Sequence, residues 1–264
     1  GLTVTVMAGL AFFATVQHNR LSGVIMVGLT GYFMALIFVL HGAPDLALTQ
    51  ALVETIVMVV FMLVLRKMPT ETEQRNEDNR LRAWLSIGTG VSVVTVAMTA
   101  MSARVAEPIS NYMPELAYEI GHGRNTVNVL LVDLRAVDTY GETLVLVIAA
   151  TGIARLVFVR TQDVERSWTR RRNQGAVMAS VVRERRSVIL ETATRLVFHV
   201  MILLSLYLLF AGHNQVGGGF AGGLVLGLAL LVRYLAGGRA ELDRAAPVSA
   251  GLVLGAGLAV SAVS

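Results

Sequence analysis

The stretch "HGAPDLALTQALVETIVMVVFMLVL", residues 41–65, decides the fold class. From Pro44 to Leu65 the only charged residues are Asp45 and Glu54. A run of about 20 predominantly apolar residues is long enough to cross the hydrocarbon core of a bilayer as a helix. The stretch therefore predicts a transmembrane helix with the carboxylate of Glu54 near its midpoint. A charge at that depth costs free energy and usually serves a function.

The composition of the whole chain agrees with this prediction. Of 264 residues, 55% are hydrophobic and only 15% are charged, whereas soluble domains carry about 25% charged residues. The alternating pattern of a membrane β-barrel is missing. The sequence thus predicts an all-α integral membrane protein, a polytopic bundle of about eight transmembrane helices. The predicted spans are 2–17, 22–40, 44–65, 84–103, 141–159, 188–211, 217–235 and 247–264.

Arginine is distributed unevenly between the connections. Connections 66–82, 160–186 and 239–244 are rich in Arg, whereas the opposite side holds only Arg104, Arg124 and Arg135. The positive-inside rule places the Arg-rich connections in the cytoplasm. The Arg-rich stretch "RSWTRRRNQG" is therefore interpreted as an anchor near anionic lipid, not as a nucleic-acid site.

The polar residues of the helix over 44–65 are candidates for an ion or proton path. Asp45 lies nine residues before Glu54, about 13 Å along the helix axis, on the opposite face. The pair cannot share one ligand shell, which argues against a metal site. His41, one turn before Asp45, can titrate near physiological pH. The alternatives are a structural role for Glu54 and an N-cap role for Asp45. Thr49, Gln50 and Thr55 are candidate hydrogen-bond partners for the two carboxylates.

Further polar candidates lie on two other predicted helices. Glu191, Arg195 and His199 are spaced by four and share a face, so Glu191 could pair with Arg195. His199 is a candidate for a proton relay or for a helix contact. Glu142 begins the helix over 141–159 and joins an acidic cluster. We interpret this cluster as an exposed ion-pair network or a cation-gathering entrance, formed with Asp133, Arg135 and Asp138.

Glycine in "HNQVGGGFAGGLVLG" predicts close packing. Gly217–Gly219 predict a tight turn that opens the next helix, with His213 and Asn214 at the outer mouth. Gly219, Gly223 and Gly227 are spaced by four, the pattern with which membrane helices approach closely; Gly251 and Gly255 repeat it. A nucleotide-binding loop needs a strand–loop–helix context and usually a Lys, which this stretch lacks. The chain has no Cys, and the sequence predicts no cofactor and no metal site.

Three stretches resemble one family. "HGAPDLALTQALVETI" (41–56) and "NTVNVLLVDLRAVDTYGETLVL" (125–146) resemble the C-terminal part of the A subunit of Mrp-type multisubunit Na+/H+ antiporters. "TRLVFHVMILLSLYLLFAGHNQVGGGFAGGLVLG" (194–227) is similar to the start of the B subunit. The resemblance covers roughly residues 22–236 and follows the order of a fused A–B chain. It divides the chain into the end of a preceding membrane region (1–21), A-type helices (22–103), a linking region (104–187) and B-type helices (188–264).

The resemblance implies a function in a multisubunit complex. Such complexes sit in the bacterial cell membrane and exchange cytoplasmic Na+ for external protons, so the implied partners are the other subunits, the transported Na+ and H+, and membrane lipid. The position of Glu54 matches the intramembrane Glu of the family's "APDLALTQ…VE" helix. The large antiporter module with its Lys/Glu channel lies upstream in the family's A subunit, and the only Lys here is Lys67. We therefore expect a piece of a longer polypeptide that transports as part of a complex.

Two rival hypotheses remain open at this point. In the first, the glycine-patterned helices only dock other subunits, and Glu54 only fixes their packing. In the second, the chain belongs to the membrane arm of a redox complex related to respiratory complex I or to membrane-bound hydrogenases. Because the chain has no Cys for iron–sulfur ligation, any redox centre would have to lie on a partner.

Overall fold

The structure, a computed structural model, describes residues 1–65, 68, 79–103, 105–168 and 188–263, and within these ranges every regular element is helical. Short 3-10 and π-helical turns occur at Ile109–Asn111 and Leu130–Leu134. The α-helices are α1 (Leu2–Val16), α2 (Arg20–Leu40), α3 (Pro44–Leu65), α4 (Asn79–Ser102), α5 (Met113–Glu119), α6 (Thr126–Val129), α7 (Ala136–Trp168), α8 (Val188–Ala211), α9 (Gly219–Gly237), α10 (Arg239–Ala245) and α11 (Ala250–Val263).

Six segments of the described residues are long and apolar enough to cross a membrane, which confirms the all-α membrane class. They are Arg20–Leu40, Pro44–Leu65, Arg80–Ser102, Thr192–Ala211, Gly219–Gly237 and Arg239–Ala262. Helix α1 is apolar but shorter, and the predicted span 141–159 lies inside the longer α7. The predicted number of about eight is therefore approximate. Most residues of the Arg-rich connections, 66–78 and 169–187, lie outside the described residues, so the orientation remains a prediction.

Two helix hairpins build the part of the fold that positions the polar residues. In the first, α2 packs on both α1 and α3. A tight turn ends α2, in which Ala43 N donates to Phe38 O at 2.9 Å and Gly42 N donates to Val39 O at 3.0 Å. Pro44 then opens α3, where its missing N–H is not needed. In the second hairpin α8 packs on α9, and α9 also contacts α3, which joins the two hairpins.

The turn between α8 and α9 depends on glycine, as the sequence predicts. Gly217 and Gly218 have φ values of 156° and 101°, in the region that favours glycine. The N–H of Gly218 donates to Leu208 O at 2.8 Å, and a Cβ on Gly217 would lie 2.6 Å from the same oxygen. Any side chain at Gly217 would therefore push the turn away from the end of α8.

The segment between α4 and α7 contains a short helix followed by a turn. Helix α6 is capped by Asn125, whose side chain accepts from Asn128 N at 3.3 Å. The helix widens into the π-helical turn, in which Arg135 N donates to Leu130 O, and breaks at Arg135, which has φ −129° and ψ 40°. Helix α7 starts at the next residue, five positions earlier than predicted.

Helix α10 is a difference from the sequence prediction, which treated residues 236–246 as a loop. Gly238, with φ 68°, separates α9 from α10 and lets the chain turn between them. The seven residues of α10 carry mixed charges, so hydropathy gives no signal for them. The helix is held by Glu241, whose side chain is only 2% exposed.

A neighbouring pair of glycines tests the contact between α8 and α9. The N-terminal half of α9 buries Ala221, Gly222 and Val225, and a Cβ on Gly222 would lie 2.8 Å from Ser205 O. We expect Gly222→Val to destabilise the chain by about 1–3 kcal/mol, as overpacking does. Its neighbour Gly223 has nothing within 4 Å of such a Cβ, so Gly223→Val is the control. The check is the melting midpoint of the purified protein in detergent; equal midpoints would contradict this packing.

Candidate functional site

The carboxylate of Glu54 lies against a glycine of the neighbouring helix. A Cβ built on Gly31 of α2 would collide with the Oε2, Cδ and Cγ atoms of Glu54. One turn further along the pair, a Cβ on Gly28 would lie 2.5 Å from the sulfur of Met58. Both glycines are buried. Helix α2 therefore provides a groove of small residues in which the Glu54 and Met58 side chains of α3 lie.

The hydroxyl groups of Tyr32 on α2 and Thr55 on α3 bind each other and not Glu54. The Oη of Tyr32 and the Oγ1 of Thr55 are hydrogen-bonded to each other at 2.7 Å, and Thr55 also donates to Ala51 O at 2.7 Å. Thr49 donates to the backbone oxygens of Asp45 and Leu46. The predicted partner roles of Thr49 and Thr55 toward the two carboxylates are therefore wrong. Within the described part of the chain, no hydrogen bond or ion pair to the partly buried Glu54 carboxylate occurs.

Asp45 binds the second hairpin. Its Oδ1 accepts a hydrogen bond from the backbone N–H of Gly217 at 2.9 Å. The alternative in which Asp45 only caps its own helix is therefore incomplete, because the carboxylate reaches across 172 positions of sequence. The bond links the start of α3 to the glycine turn between α8 and α9.

Beside this bond lies an open pocket of about 350 Å³, lined by three segments of the chain. One segment is the turn before α3, one is Arg124–Val127, and one is Asn214–Val216. The buried Asn125 side chain connects the last two, because its Nδ2 donates to Gln215 O at 2.8 Å. The Asn125 N–H also donates to His213 O at 3.2 Å. Hydrogen bonds thus connect two of the three segments, and both Asp45 and Arg124 line the pocket.

The charged residues around the start of α7 do not form the predicted network. Arg135 and Asp138 form an exposed ion pair. Asp133 lies instead 3.7 Å from Nδ1 of His213, so it bridges to the turn between α8 and α9. Glu142 is exposed, and among the described residues it has no ion pair. The predicted four-member network is therefore wrong, since Asp133 and Glu142 lie apart from the Arg135 pair.

The two histidines proposed for the ion path are exposed and bind only their own helices. His41 Nδ1 is hydrogen-bonded to Ile37 O at 2.8 Å. His199 Nδ1 is hydrogen-bonded to Arg195 O at 2.6 Å, and its ring lies edge-on to Phe198. In the part of the chain that the structure describes, no contact joins either histidine to Glu54. Their proposed roles stay predictions.

A charged cluster that sequence reasoning missed lies where α8 meets α10. The side chain of Glu191 lies outside the described residues, but Arg195 contacts a different carboxylate, that of Glu241, at 3.5 Å. Arg233 and Arg244 contact Glu241 as well, at 3.0 and 2.9 Å. The sequence does contain a signal for this cluster, namely a Glu within an Arg-rich segment beside a predicted helix end. The sequence prediction uses these arginines only to assign the orientation of the helices.

Of the predicted packing face Gly219, Gly223 and Gly227, only Gly219 lies against α8, because a Cβ on Gly219 would lie 3.8 Å from Cδ1 of Leu209. The contact uses Ala221, Gly222, Val225 and Ala229. A Cβ on Gly223 or Gly227 would meet no atom of the described chain within 4 Å. The face formed by Gly223 and Gly227 is therefore open among the described residues. Among the described residues no group of three His, Cys, Asp or Glu side chains could hold a metal ion.

The fit of Glu54 against Gly31 can be measured by a double-mutant cycle. We expect Gly31→Ala to lower the melting midpoint although alanine favours a helix over glycine, because its Cβ displaces the Glu54 side chain. The additional change Glu54→Ala should recover much of the loss, since it removes the colliding atoms. Gly23→Ala on the same helix is the control, because its Cβ would have neighbours only at 3.9–4.0 Å. Independent, additive effects at Gly31 and Glu54 would contradict the fit.

The bond between Asp45 and Gly217 predicts different results for two substitutions. Asp45→Ala leaves the Gly217 N–H without its acceptor, whereas Asp45→Asn keeps an oxygen in reach but removes the charge. We expect Asp45→Ala to cost about 1.5–3 kcal/mol, the range for a hydrogen bond to a charged group, and Asp45→Asn to cost less. Hydrogen exchange at the Gly217 amide measures the effect locally. Asp138→Asn, in an exposed ion pair, should leave this amide unchanged.

Family comparisons match three successive parts of the chain. Residues 5–70 match the MbhD family, described as the D subunit of MBH, and residues 73–163 match the MbhE family, described as its E subunit. Residues 189–264 match the family described as "Domain related to MnhB subunit of Na+/H+ antiporter". The three matches follow one another with short gaps, so nearly the whole chain resembles known families.

Relatives resemble the chain over much of its length. A probable K+/H+ antiporter A/B subunit of Rhizobium meliloti (strain 1021) is 33% identical over 243 residues, which are 84% of this chain and 24% of the relative. The A subunit of the Na+/H+ antiporter of Alkalihalophilus pseudofirmus is 40% identical over 151 residues, 54% of this chain and 18% of the relative. The chain therefore spans at most about a quarter of the length of these curated relatives.

A solved structure shows the same fold. A chain in the structure of the Mrp complex from Dietzia sp. DQ12-45-1b superimposes with a TM-score of 0.68 at 29% identity, over 91% of this chain and 26% of that chain. The superposition extends over both the A-type and the B-type helices, in agreement with the order of the family matches. The chain belongs to the family of Mrp-type antiporter subunits, with A-type helices followed by a B-type region.

Proposed function

We propose that the chain is a membrane segment of a multisubunit cation/proton antiporter and that Glu54 takes part in its ion or proton path. The observation that carries this proposal is the carboxylate itself. It lies near the middle of an apolar helix, partly buried against Gly31, and no described residue pairs with it. A carboxylate that served only to fix packing would be expected to have a hydrogen-bonding partner.

The relatives support the same function. Their names describe antiporter subunits, which favours a transporter over an enzyme. We infer that the chain lies in the bacterial cell membrane, with the other antiporter subunits and membrane lipid as partners. One relative is named for K+ and others for Na+. The cation is proposed to be monovalent, with Na+ leaving and H+ entering the cell as the first case to test.

The test of Glu54 is cation-dependent proton movement in inverted vesicles that carry the whole complex. We expect Glu54→Gln to assemble normally and to slow transport at least about tenfold, the effect of adding about 1.4 kcal/mol to a barrier. The amide keeps the shape of the side chain, but it carries no negative charge and does not take up or release a proton in this pH range. Running the assay with Na+ and with K+ identifies the cation.

The control for this experiment is Glu119→Gln, which changes an exposed carboxylate at the end of α5. It should transport like the wild type. Assembly is checked for each variant on a native gel before transport is compared. Wild-type rates for an assembled Glu54→Gln complex with both cations would overturn the role of Glu54 and leave it a packing residue.

A docking function for α9 is the second candidate, and the open glycine face favours it. Gly223 and Gly227 form a small-residue face that the described residues leave uncovered, and such faces let membrane helices approach closely. We expect Gly223→Leu to reduce the recovery of other subunits with the affinity-tagged chain. Gly90→Leu on α4, where a Cβ also meets nothing within 4 Å, is the control. Unchanged recovery with Gly223→Leu would contradict docking through this face.

A further inference from the structure

The connection that follows α4 exposes a stripe of apolar side chains. The stripe belongs to the 3-10 turn at Ile109–Asn111, to α5 and to the two residues that cap α5, and its members recur every three or four positions. They are Ile109, Tyr112, Leu116 and Ile120, which are 71%, 52%, 40% and 60% exposed. Side chains at this spacing lie on one face of a helix. The described chain therefore leaves this face, the outer stripe, uncovered.

The two flanks of the outer stripe differ. On one flank Ala117 is only 1% exposed, and α5 packs there against α6. On the other flank lie Glu115 and Glu119, whose positions on the helical turn border Leu116 on the side away from Ala117. Both carboxylates are exposed. One flank of α5 thus faces protein and the other faces water, and the outer stripe lies between them.

Hydrogen bonds hold α5 beside the end of α8. Gly123 N donates to Ala117 O at 3.2 Å, which folds the chain back over the end of α5. Asn125 N then donates to His213 O at 3.2 Å. His213 lies just beyond α8, whose apolar part, Thr192–Ala211, is long enough to cross a membrane. The outer stripe is therefore fixed near the end of a membrane span.

The chain also enters the outer stripe from a membrane span. Helix α4 is apolar and long enough to cross a membrane up to Ser102, and its last turns expose Met98 and Met101. Ile109 follows after a short connection, so exposed apolar side chains continue from the end of this span into the outer stripe. Because one short segment is attached to the ends of both α4 and α8, that segment lies at the level of the bilayer surface.

The composition of residues 109–120 indicates what kind of membrane contact the segment makes. It contains no Lys and no Arg, so attraction to anionic lipid does not contribute. Apolar area remains as the driving force. Tyr112 suits this position, because the amphipathic ring of tyrosine prefers the level of the head groups.

We propose that the outer stripe lies in the membrane–water interface and contacts lipid. Its apolar side chains insert about 5–10 Å into the boundary between head groups and acyl chains, as those of other interfacial amphipathic helices do. Glu115 and Glu119 face water. The arginine distribution assigns this side of the membrane to the outside of the cell. The proposal is independent of the role of Glu54 and of the cation that moves.

The test is electron paramagnetic resonance on the whole complex in phosphatidylcholine bilayers, with a spin label at Leu116→Cys or, as the control, at Glu115→Cys. This chain has no cysteine of its own, and the signal of the complex without the introduced cysteine is subtracted. Oxygen concentrates among acyl chains, whereas a nickel chelate stays in water. We expect the ratio of oxygen to nickel accessibility at Leu116→Cys to exceed that at Glu115→Cys by at least about threefold, because only the first label lies in the interface. Equally high nickel accessibility at both positions would overturn the proposal.

Further outcomes separate lipid from a protein partner. A label at Leu116→Cys that is immobile and protected from both oxygen and nickel would show that another subunit covers the outer stripe, which would overturn the lipid contact. Ile120→Cys, on the same stripe, should repeat the result of Leu116→Cys. Adding phosphatidylglycerol should leave the ratios unchanged, and a contact that forms only with this lipid would contradict its apolar basis. Each labelled complex is first checked for assembly on a native gel, so misfolded material does not enter the comparison.

Discussion

The contact between α2 and α3 is the constraint on which the rest of the site depends. Two apolar helices can enclose a carboxylate only where one of them has no side chain in the way, and Gly31 provides that space for Glu54. The neighbouring Gly28 does the same for Met58. Because the helices approach closely, the hydroxyl groups of Tyr32 and Thr55 come within 2.7 Å of each other and satisfy one another. Among the described residues no group pairs with the Glu54 carboxylate, and this is the physical basis of the proposal that it binds an exchangeable proton or cation.

Much of the fold could be predicted from the sequence, because a membrane leaves few choices. Backbone groups in hydrocarbon must be bonded within a helix, so each apolar run predicts its own structure. The predicted span 44–65 and helix α3 coincide, and the glycine turn at 217–219 opens α9 as expected. The predicted helix boundaries are wrong where charged residues continue a helix, as in α7, and where a helix carries charged residues along its length, as in α10. Hydropathy is uninformative in both cases.

The candidate site was harder to predict, because sequence spacing describes only neighbours on one helix. The depth of Glu54 follows from counting residues, but the glycine it lies against belongs to the preceding helix. The partner of Asp45 is 172 positions away, and no local pattern indicates it. Arg195 shows the same limit: its expected pairing with Glu191 on the same helix stays a prediction, whereas its contact with Glu241, 46 positions later, has no local pattern to indicate it. The sequence prediction uses arginines at helix ends only to assign orientation, and it therefore misses the cluster around the buried carboxylate of Glu241.

The hydrogen bond from Gly217 to Asp45 has a consequence for how such complexes are encoded. It connects the A-type helices to the B-type helices, and here both belong to one polypeptide. A covalent connection turns a contact between two chains into an intramolecular one, for which the effective concentration is high. A single bond of this kind can then hold the two regions in register with little additional interface. Where the same regions are separate chains, the bond would need a larger contact area around it, so the surfaces beside Asp45 and Gly217 would be under stronger constraint than they are here.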